Sequence, residues 1–244
     1  MNTKELIEDL MGLNSNPMLS VSEDGSGNIS YRGTVRDERI RGRDVPAPGC
    51  GCTMIGQKRL ENIVFLLEKA LEEDIPGCYG EFGVWKGGAS ILAAHVLKGS
   101  GRKVYVADSF EGLPPAKPSK FPKDRGQMMH TINHLRVSLE EVQANFARYG
   151  LLDDNVIFLK GFFETTLPNL KDTFVVVRMD GDLYQSTWET LDNLYPQISP
   201  GGSIICDDYC LATAREACHD YREKHKITSE IHVIDDCGVW WRKD

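Results

Sequence analysis

Cys78-Tyr79-Gly80-Glu81-Phe82-Gly83-Val84-Trp85-Lys86-Gly87-Gly88-Ala89-Ser90 is the stretch that decides the fold. It begins as a short β-rich run, passes through glycines, and opens an apolar segment, Ala89 to Lys98, with helical character. Glycines between a strand and a helix let the backbone turn sharply and lie against a ligand, as in dinucleotide-binding folds. Here Gly83 and Gly87 stand four apart and an acid, Glu81, precedes them. That is not the dinucleotide spacing. An acid at this strand tip repels a pyrophosphate and suits an amino group.

The alternation continues outward from this unit. Lys103 to Ala107, Val156 to Leu159, Phe174 to Met179 and Ser203 to Cys206 read as strands, most of them too apolar to have a wet face. Between them lie helical segments: Ser138 to Tyr149, where Ser138-Leu139-Glu140-Glu141 is a capping box and Gly150 a stop, then Thr187 to Tyr195, then Ala212 to Lys224. Strands buried on both sides need helices on both faces, so the pattern predicts an α/β, doubly wound, mainly parallel sheet. Glu230 to Trp241 reads as two strands around an Asp-Cys-Gly turn, a C-terminal antiparallel hairpin. On the other side, Met54 to Glu73 carries the stripe of an amphipathic helix, closed by Pro76-Gly77. Residues 14–30 are rich in turn formers and lack either hydrophobic period, so they read as a loop or arm.

At 244 residues the chain is long enough for a sizeable single core, and no linker or repeat divides it. The expected organisation is an N-terminal arm or lid over residues 1–33, partly mobile, and one catalytic domain over 34–244. Thirty-six acids against 28 Lys and Arg give a formal charge of −8, which argues against nucleic acid and anionic membranes as partners. No apolar run approaches a membrane span, and Met1 to Leu10 carries acids where an export signal would be apolar, so a cytoplasmic setting is expected. The seven cysteines, at 50, 52, 78, 206, 210, 218 and 237, do not form paired metal-binding frames and read as free thiols. Arg36, Arg39, Arg41 and Arg43 alternate with Asp37, Glu38 and Asp44 and read as a self-neutralising exposed segment.

In open α/β sheets ligands bind beyond the carboxyl ends of the strands. Five carboxylates end strands here: Glu81, Asp108, Asp180, Asp207 and Asp208. Facing one another across a crevice, they would raise each other's pKa unless a cation or donor-rich ligand intervened. An acid at Asp108 suits ribose hydroxyls, and Glu81 suits a cationic end. A nucleoside with an amino-acid tail satisfies both, and S-adenosylmethionine is that molecule. Met179-Asp180-Gly181-Asp182 and Cys206-Asp207-Asp208-Tyr209 offer oxygens at adjacent tips, a donor set for a hard divalent cation such as magnesium. Asp182 reads as a cap for the helix that follows.

Thr53-Met54-Ile55-Gly56, Glu81 to Ser90, Ala107-Asp108-Ser109-Phe110-Glu111-Gly112-Leu113-Pro114, Val137 to Val142, Met179 to Tyr184, and Pro200-Gly201-Gly202-Ser203 with Asp207-Asp208-Tyr209 together resemble the macrocin O-methyltransferase family, in order, from about Arg39 to the C-terminus. The resemblance implies a class I methyltransferase sheet that uses S-adenosylmethionine and magnesium to methylate sugar hydroxyls in antibiotic-type pathways. It implies cofactor contacts at Thr53, Met54, Glu81, Phe82, Gly83, Val84, Trp85, Asp108, Ser109, Ser138, Gly161 and Phe162. Magnesium falls to Asp180, Asp207 and Asp208. The catalytic base is His130, with His134 as its rival within the same segment, or Asp180. Lys120 to Gly126 reads as a lid over a sugar-containing acceptor, Cys50-Gly51-Cys52 departs from the family pattern, and a homo-oligomer is expected. Two rival readings remain at this point: a metal-dependent glycosyltransferase using Asp180-Gly181-Asp182, and a non-enzymatic scaffold on the same fold.

Overall fold

Phe174 to Met179 is buried along its whole length, which only a strand covered on both faces permits. The computed structural model describes residues 1–12, 19–23, 29–33 and 51–244. The arginine run at 36–43 and Cys50 lie outside them. The elements are α1 (Thr3–Leu10), β1 (Leu19–Glu23), β2 (Ile29–Gly33), α2 (Gln57–Glu72), β3 (Cys78–Phe82), α3 (Gly88–Val96), β4 (Val104–Asp108), α4 (Leu139–Arg148), β5 (Val156–Lys160), α5 (Phe163–Thr166), β6 (Phe174–Met179), α6 (Tyr184–Leu194), β7 (Ile198–Cys206), α7 (Ala212–Lys224), β8 (Ile231–Val233) and β9 (Val239–Arg242). β3 to β9 form one sheet in the order β5-β4-β3-β6-β7-β9-β8, parallel from β5 to β7 and antiparallel at β9 and β8. This is the expected doubly wound sheet with its C-terminal hairpin. α1 to α4 contribute to the core on one face, and α6 and α7 to the core on the other.

Several elements differ from the sequence reading, each for a physical reason. α1 is no free arm. Asn2 and Glu5 close a capping box at its start, and Leu6, Ile7 and Leu10 sink into the core beside α2 and α3. Its apolar face is therefore used inside the chain. The loop expected at 14–30 contains β1 and part of β2, which pair antiparallel with Val21 opposite Tyr31. β7 starts at Ile198, five residues before the apolar run at Ser203, because the backbone stays paired to Phe174 ahead of Pro200.

Cysteines 210 and 237, read as free thiols, are joined in a disulfide; Cys52, Cys78, Cys206 and Cys218 are free and buried. Cys210 follows the tip of β7, and Cys237 sits in the turn before β9, which pairs with β7 through Cys206 opposite Val239. Trp241 anchors that hairpin at 0% exposure. Burying an indole removes roughly 150–250 Å² from water, about 4–6 kcal/mol at 25 cal/mol per Å². The hairpin turn is thereby held against the carboxyl edge of the sheet.

Candidate active site

The parallel strands end on one edge, and the sheet changes winding direction between β3 and β6, where such folds open a crevice. Gly83 carries the chain off β3 with φ +95°, and a Cβ there would lie 1.8 Å from the Asp180 carbonyl oxygen. No other residue lets the loop cross the tip of β6 this closely. The Asp180 N–H donates to the Phe82 carbonyl at 2.9 Å, which ties the two tips together. From β4, Asp108 accepts the N–H of Val84 at 2.9 Å and of Phe110 at 2.8 Å, fixing the same loop from the other side. Burial pushes the Asp108 carboxyl up while these donors pull it down.

A cavity opens here, walled in part by Gly83, Asp108, Ser109, Phe162, Asp180 and Asp182. The other expected cofactor residues surround its loop. Cys52 accepts the Gly88 N–H at 2.9 Å and donates its own N–H to Leu10, so the segment before Thr53 is stitched between α1 and the glycine loop. Gly51 fits there because a Cβ would lie 2.3 Å from the Leu10 oxygen. Thr53 is buried with its hydroxyl accepting the Ile55 N–H, whereas Met54 is exposed. Ser138 caps α4 by accepting the Glu141 N–H, and Gly161 donates its N–H to the Asp108 carbonyl. Phe82 is packed in the core against Phe163 and Phe174. Trp85 donates its indole N–H to the His134 carbonyl at 2.8 Å.

Glu81, expected to meet a cationic ligand end, lies behind the cavity lining and has an arginine for a partner. It is 1% exposed, directly opposite Arg178 in the β3–β6 register, and its oxygens accept from Arg178 and the Ser90 hydroxyl. Burial pushes its carboxyl up to about 7, against the pull of Arg178. Arg178, on a strand buried throughout, also pairs with Asp180 at 2.8 Å and Asp207 at 2.6 Å. Arg59 of α2 reaches Asp207 as well and holds Asp235 of the hairpin turn at 2.8 Å. The cation that crowded strand-end acids require is thus partly supplied by two guanidinium groups, which the sequence reading did not assign. A lone arginine in Val175-Val176-Val177-Arg178-Met179 was the available signal, since a fully buried Arg demands acid partners.

Asp180, Asp207 and Asp208 each bring an oxygen within 4.8 Å of the others, the one such group among the described residues. Around a magnesium-sized ion, neighbouring ligand oxygens lie about 3 Å apart and opposite ones about 4 Å apart. The donor set is all oxygen, as a hard cation prefers. Burial raises Asp208 well above the usual carboxylate range, and the charges of Asp180, Asp182 and Asp207 raise it further, a conflict that a divalent cation would relieve. These residues fit magnesium.

Asp182 stands in the left-handed region at φ +59°, its N–H donating to Asp208 at 2.9 Å and its carbonyl accepting from the Thr213 hydroxyl. It does not cap α6. That role falls to Asp124, which is 0% exposed and accepts the N–H groups of Tyr184 at 2.7 Å and Gln185 at 2.9 Å from the far side of the crevice. With its expected role taken, Asp182 is a carboxyl on the cavity wall, pushed up to about 7 by burial and by Asp180 and Asp207. His130 is half-buried and lines an adjoining cavity with Glu111 and Arg136, sharing only Leu113 and Phe162 with the first. His130 and Asp180 are therefore not brought onto one wall. His134 is exposed.

The sequence model described as Macrocin-O-methyltransferase (TylF) matches residues 7–243. The 8-demethyl-8-(2,3-dimethoxy-alpha-L-rhamnosyl)-tetracenomycin-C 4'-O-methyltransferase of Streptomyces olivaceus is 47% identical over 211 residues, 84% of this chain and 80% of that protein. The mycinamicin III 3''-O-methyltransferase of Micromonospora griseorubida is 45% identical over 225 residues, 89% and 88% of the two chains. Among solved structures, the O-methyltransferase NovP superposes with a TM-score of 0.86 at 40% identity, covering 99% of this chain and 97% of its own.

Proposed function

The chain belongs to the macrocin O-methyltransferase family, and from that premise we propose that it methylates a sugar hydroxyl of a glycosylated, antibiotic-type natural product, with magnesium held by Asp180, Asp207 and Asp208. It is an O-methyltransferase that uses S-adenosylmethionine, so neither the glycosyltransferase reading of Asp180-Gly181-Asp182 nor the non-enzymatic scaffold applies. The observation that carries the proposal is that the glycine loop and the oxygen cluster meet on one cavity wall, through Gly83, Asp108, Asp180 and Asp182.

S-adenosylmethionine, when bound, would supply a methyl on a positively charged sulfur that leaves as the thioether when an acceptor oxygen takes the methyl, and a magnesium ion held by Asp180, Asp207 and Asp208 would lower the pKa of that acceptor hydroxyl. Gly83 and the Asp108-Ser109 tip line the cavity on the donor's side, Val84 and Trp85 continue that loop behind Phe82, and Thr53, Met54, Ser138, Gly161 and Phe162 would complete the cofactor's contacts. Glu81 contributes indirectly, by fixing Arg178. Of the candidate bases, Asp180 already faces Arg178 and the metal position, and His130 faces the neighbouring cavity. Asp182 is the free carboxyl on the wall, so we assign it the acceptor proton. The proposal extends to a cytoplasmic setting, where S-adenosylmethionine is made, and to a homo-oligomer, for which Phe65 and Val233, exposed near the β8 edge, offer apolar surface.

Titration calorimetry with S-adenosylmethionine, followed by transfer of labelled methyl to a panel of glycosylated natural products, tests this reading. Asp180→Asn abolishes turnover and leaves the fold intact. Asp182→Asn lowers kcat by about 10²–10⁴-fold, the usual contribution of a general base, and more than His130→Ala does. The reading fails if no glycoside accepts the label.

A further inference from the structure

The cavity wall opposite the glycine loop belongs to α6, which presents Gln185, Ser186 and Glu189. Gln185 is 2% exposed. Its backbone N–H is held by Asp124, and its side-chain Nε2 donates to Glu189 Oε1 at 3.0 Å. An ionised carboxylate only accepts, so the amide must turn its nitrogen to Glu189 and its oxygen away. Burial pushes the Glu189 carboxyl up, and the Gln185 amide and Lys120 Nζ, 4.0 Å from the same oxygen, pull it back toward the ionised form. The orientation leaves Gln185 Oε1 buried with no hydrogen-bond partner in the protein. A buried carbonyl oxygen seldom goes unpaired, because the desolvation it has suffered is not repaid. The rest of the cavity offers further acceptors and few free donors: Glu164, Asp180 and Asp182 also line it. The missing partner is a donor on the ligand.

Resting on the function proposed above, we infer that Gln185 Oε1 accepts a hydrogen bond from a second hydroxyl of the acceptor sugar, not the one methylated, and that Glu189 fixes the amide that does so. Gln185 is then a specificity-determining residue. It requires a hydroxyl at one ring position beside the reacting one, because a site built to pair an O–H rejects the analogue that lacks it far more strongly than an apolar pocket rejects an extra group.

The test uses the full chain loaded with S-adenosylhomocysteine and magnesium. Methyl α-L-rhamnopyranoside and its 2-, 3- and 4-deoxy analogues are titrated by ligand-observed NMR into wild type, Gln185→Met and Glu189→Gln. Met matches the length of Gln but cannot accept, whereas an amide at 189 can still accept from Gln185 Nε2. Wild type binds one deoxy analogue at least tenfold more weakly than the parent. Gln185→Met binds the parent at least tenfold more weakly, loses preference against that one analogue alone, and keeps its S-adenosylhomocysteine affinity within twofold. Glu189→Gln retains the preference. Equal binding of all four sugars by wild type, or a uniform loss across the four in Gln185→Met, overturns the inference; so does a wild type that binds none of them. Should Gln185→Met fail to take up S-adenosylhomocysteine, the wild-type series decides alone. The two readings separate cleanly. Methyl transfer to glycosides with unchanged discrimination in Gln185→Met sinks only this inference, and sugar selectivity that depends on Gln185 without any methyl transfer sinks only the function.

Discussion

Replacing Arg178 with Met tests whether the guanidinium at the centre of β6 is what lets so many acids share one edge. Met roughly fills the volume, so the change is chiefly electrostatic. Arg178 and both its deepest partners, Glu81 and Asp207, are nearly inaccessible to water. Removing one member of a buried ion cluster typically costs about 3–5 kcal/mol, because the remaining charges are stranded. At about 2–4 °C per kcal/mol for a chain of this size, the melting temperature falls by about 6–20 °C. The pH dependence carries a definite sign. Stranded acids have folded pKa values raised above the unfolded ones, so they hold protons in the fold that the unfolded chain has released, and stability is lost as pH rises above the ordinary carboxylate range. The deficit of Arg178→Met is therefore larger at pH 8 than at pH 5, and Glu81→Gln in the same chain recovers part of it. Thermal melts at both pH values, in a chelator so that no cation substitutes for the arginine, provide the assay. A drop under about 3 °C, or a deficit that grows toward pH 5, would refute the reasoning.

Gly83→Ala drives a Cβ into the Asp180 carbonyl and prevents S-adenosylmethionine binding or folding, whereas Gly99→Ala, with nothing within 4 Å of its Cβ, costs only the strain of its positive φ, about 1–2 kcal/mol; calorimetry and melts on both variants check the contrast. Asp124→Ala uncaps α6 and lowers stability by about 1–2 kcal/mol, measurable by urea denaturation. Asp172 is partly buried, which raises its carboxyl, but Lys103, Tyr105 and the Thr173 N–H outweigh this and bring it to about 2. Its contribution is present above the ordinary Asp value and lost as pH falls through about 2, so Asp172→Asn flattens the acid limb of the stability profile below pH 4. Alkylation and mass measurement of the denatured chain count two fewer thiols before reduction than after, with Cys210 and Cys237 the protected pair.

Much of the architecture is legible in one dimension because its causes are local. β3 and β6 occupy the residues that their β-rich runs predict, and α7 spans the predicted Ala212 to Lys224. Tertiary causes were not legible. α6 begins at Tyr184 rather than Thr187 because its cap, Asp124, lies 60 residues upstream, where no local pattern announces it. Glu81 was placed at a strand tip, but its partner Arg178 was not foreseen, since that residue stands on a strand almost a hundred residues later and meets it only through register. The pairing of Cys210 with Cys237 depends on β9 folding back along β7. Asp182 looked like a cap by position and became a cavity carboxyl once another residue was seen to do the capping.

Asp124 also divides the segment that spans the crevice. Its carboxylate stakes residues 122–124 to the start of α6, and the stretch from Gln127 to Arg136, which carries His130, continues from that stake toward α4. A tether of this kind separates the tolerance of the two parts to sequence change. Residues beyond it make no hydrogen bond to the start of α6 that Asp124 holds, and their own hydrogen-bonded tie to the site is the His134 carbonyl, which accepts the Trp85 indole N–H. For anyone wishing to redirect the enzyme to a new acceptor, Asp124 and the His134 carbonyl are the two fixed points that a graft across this segment must keep.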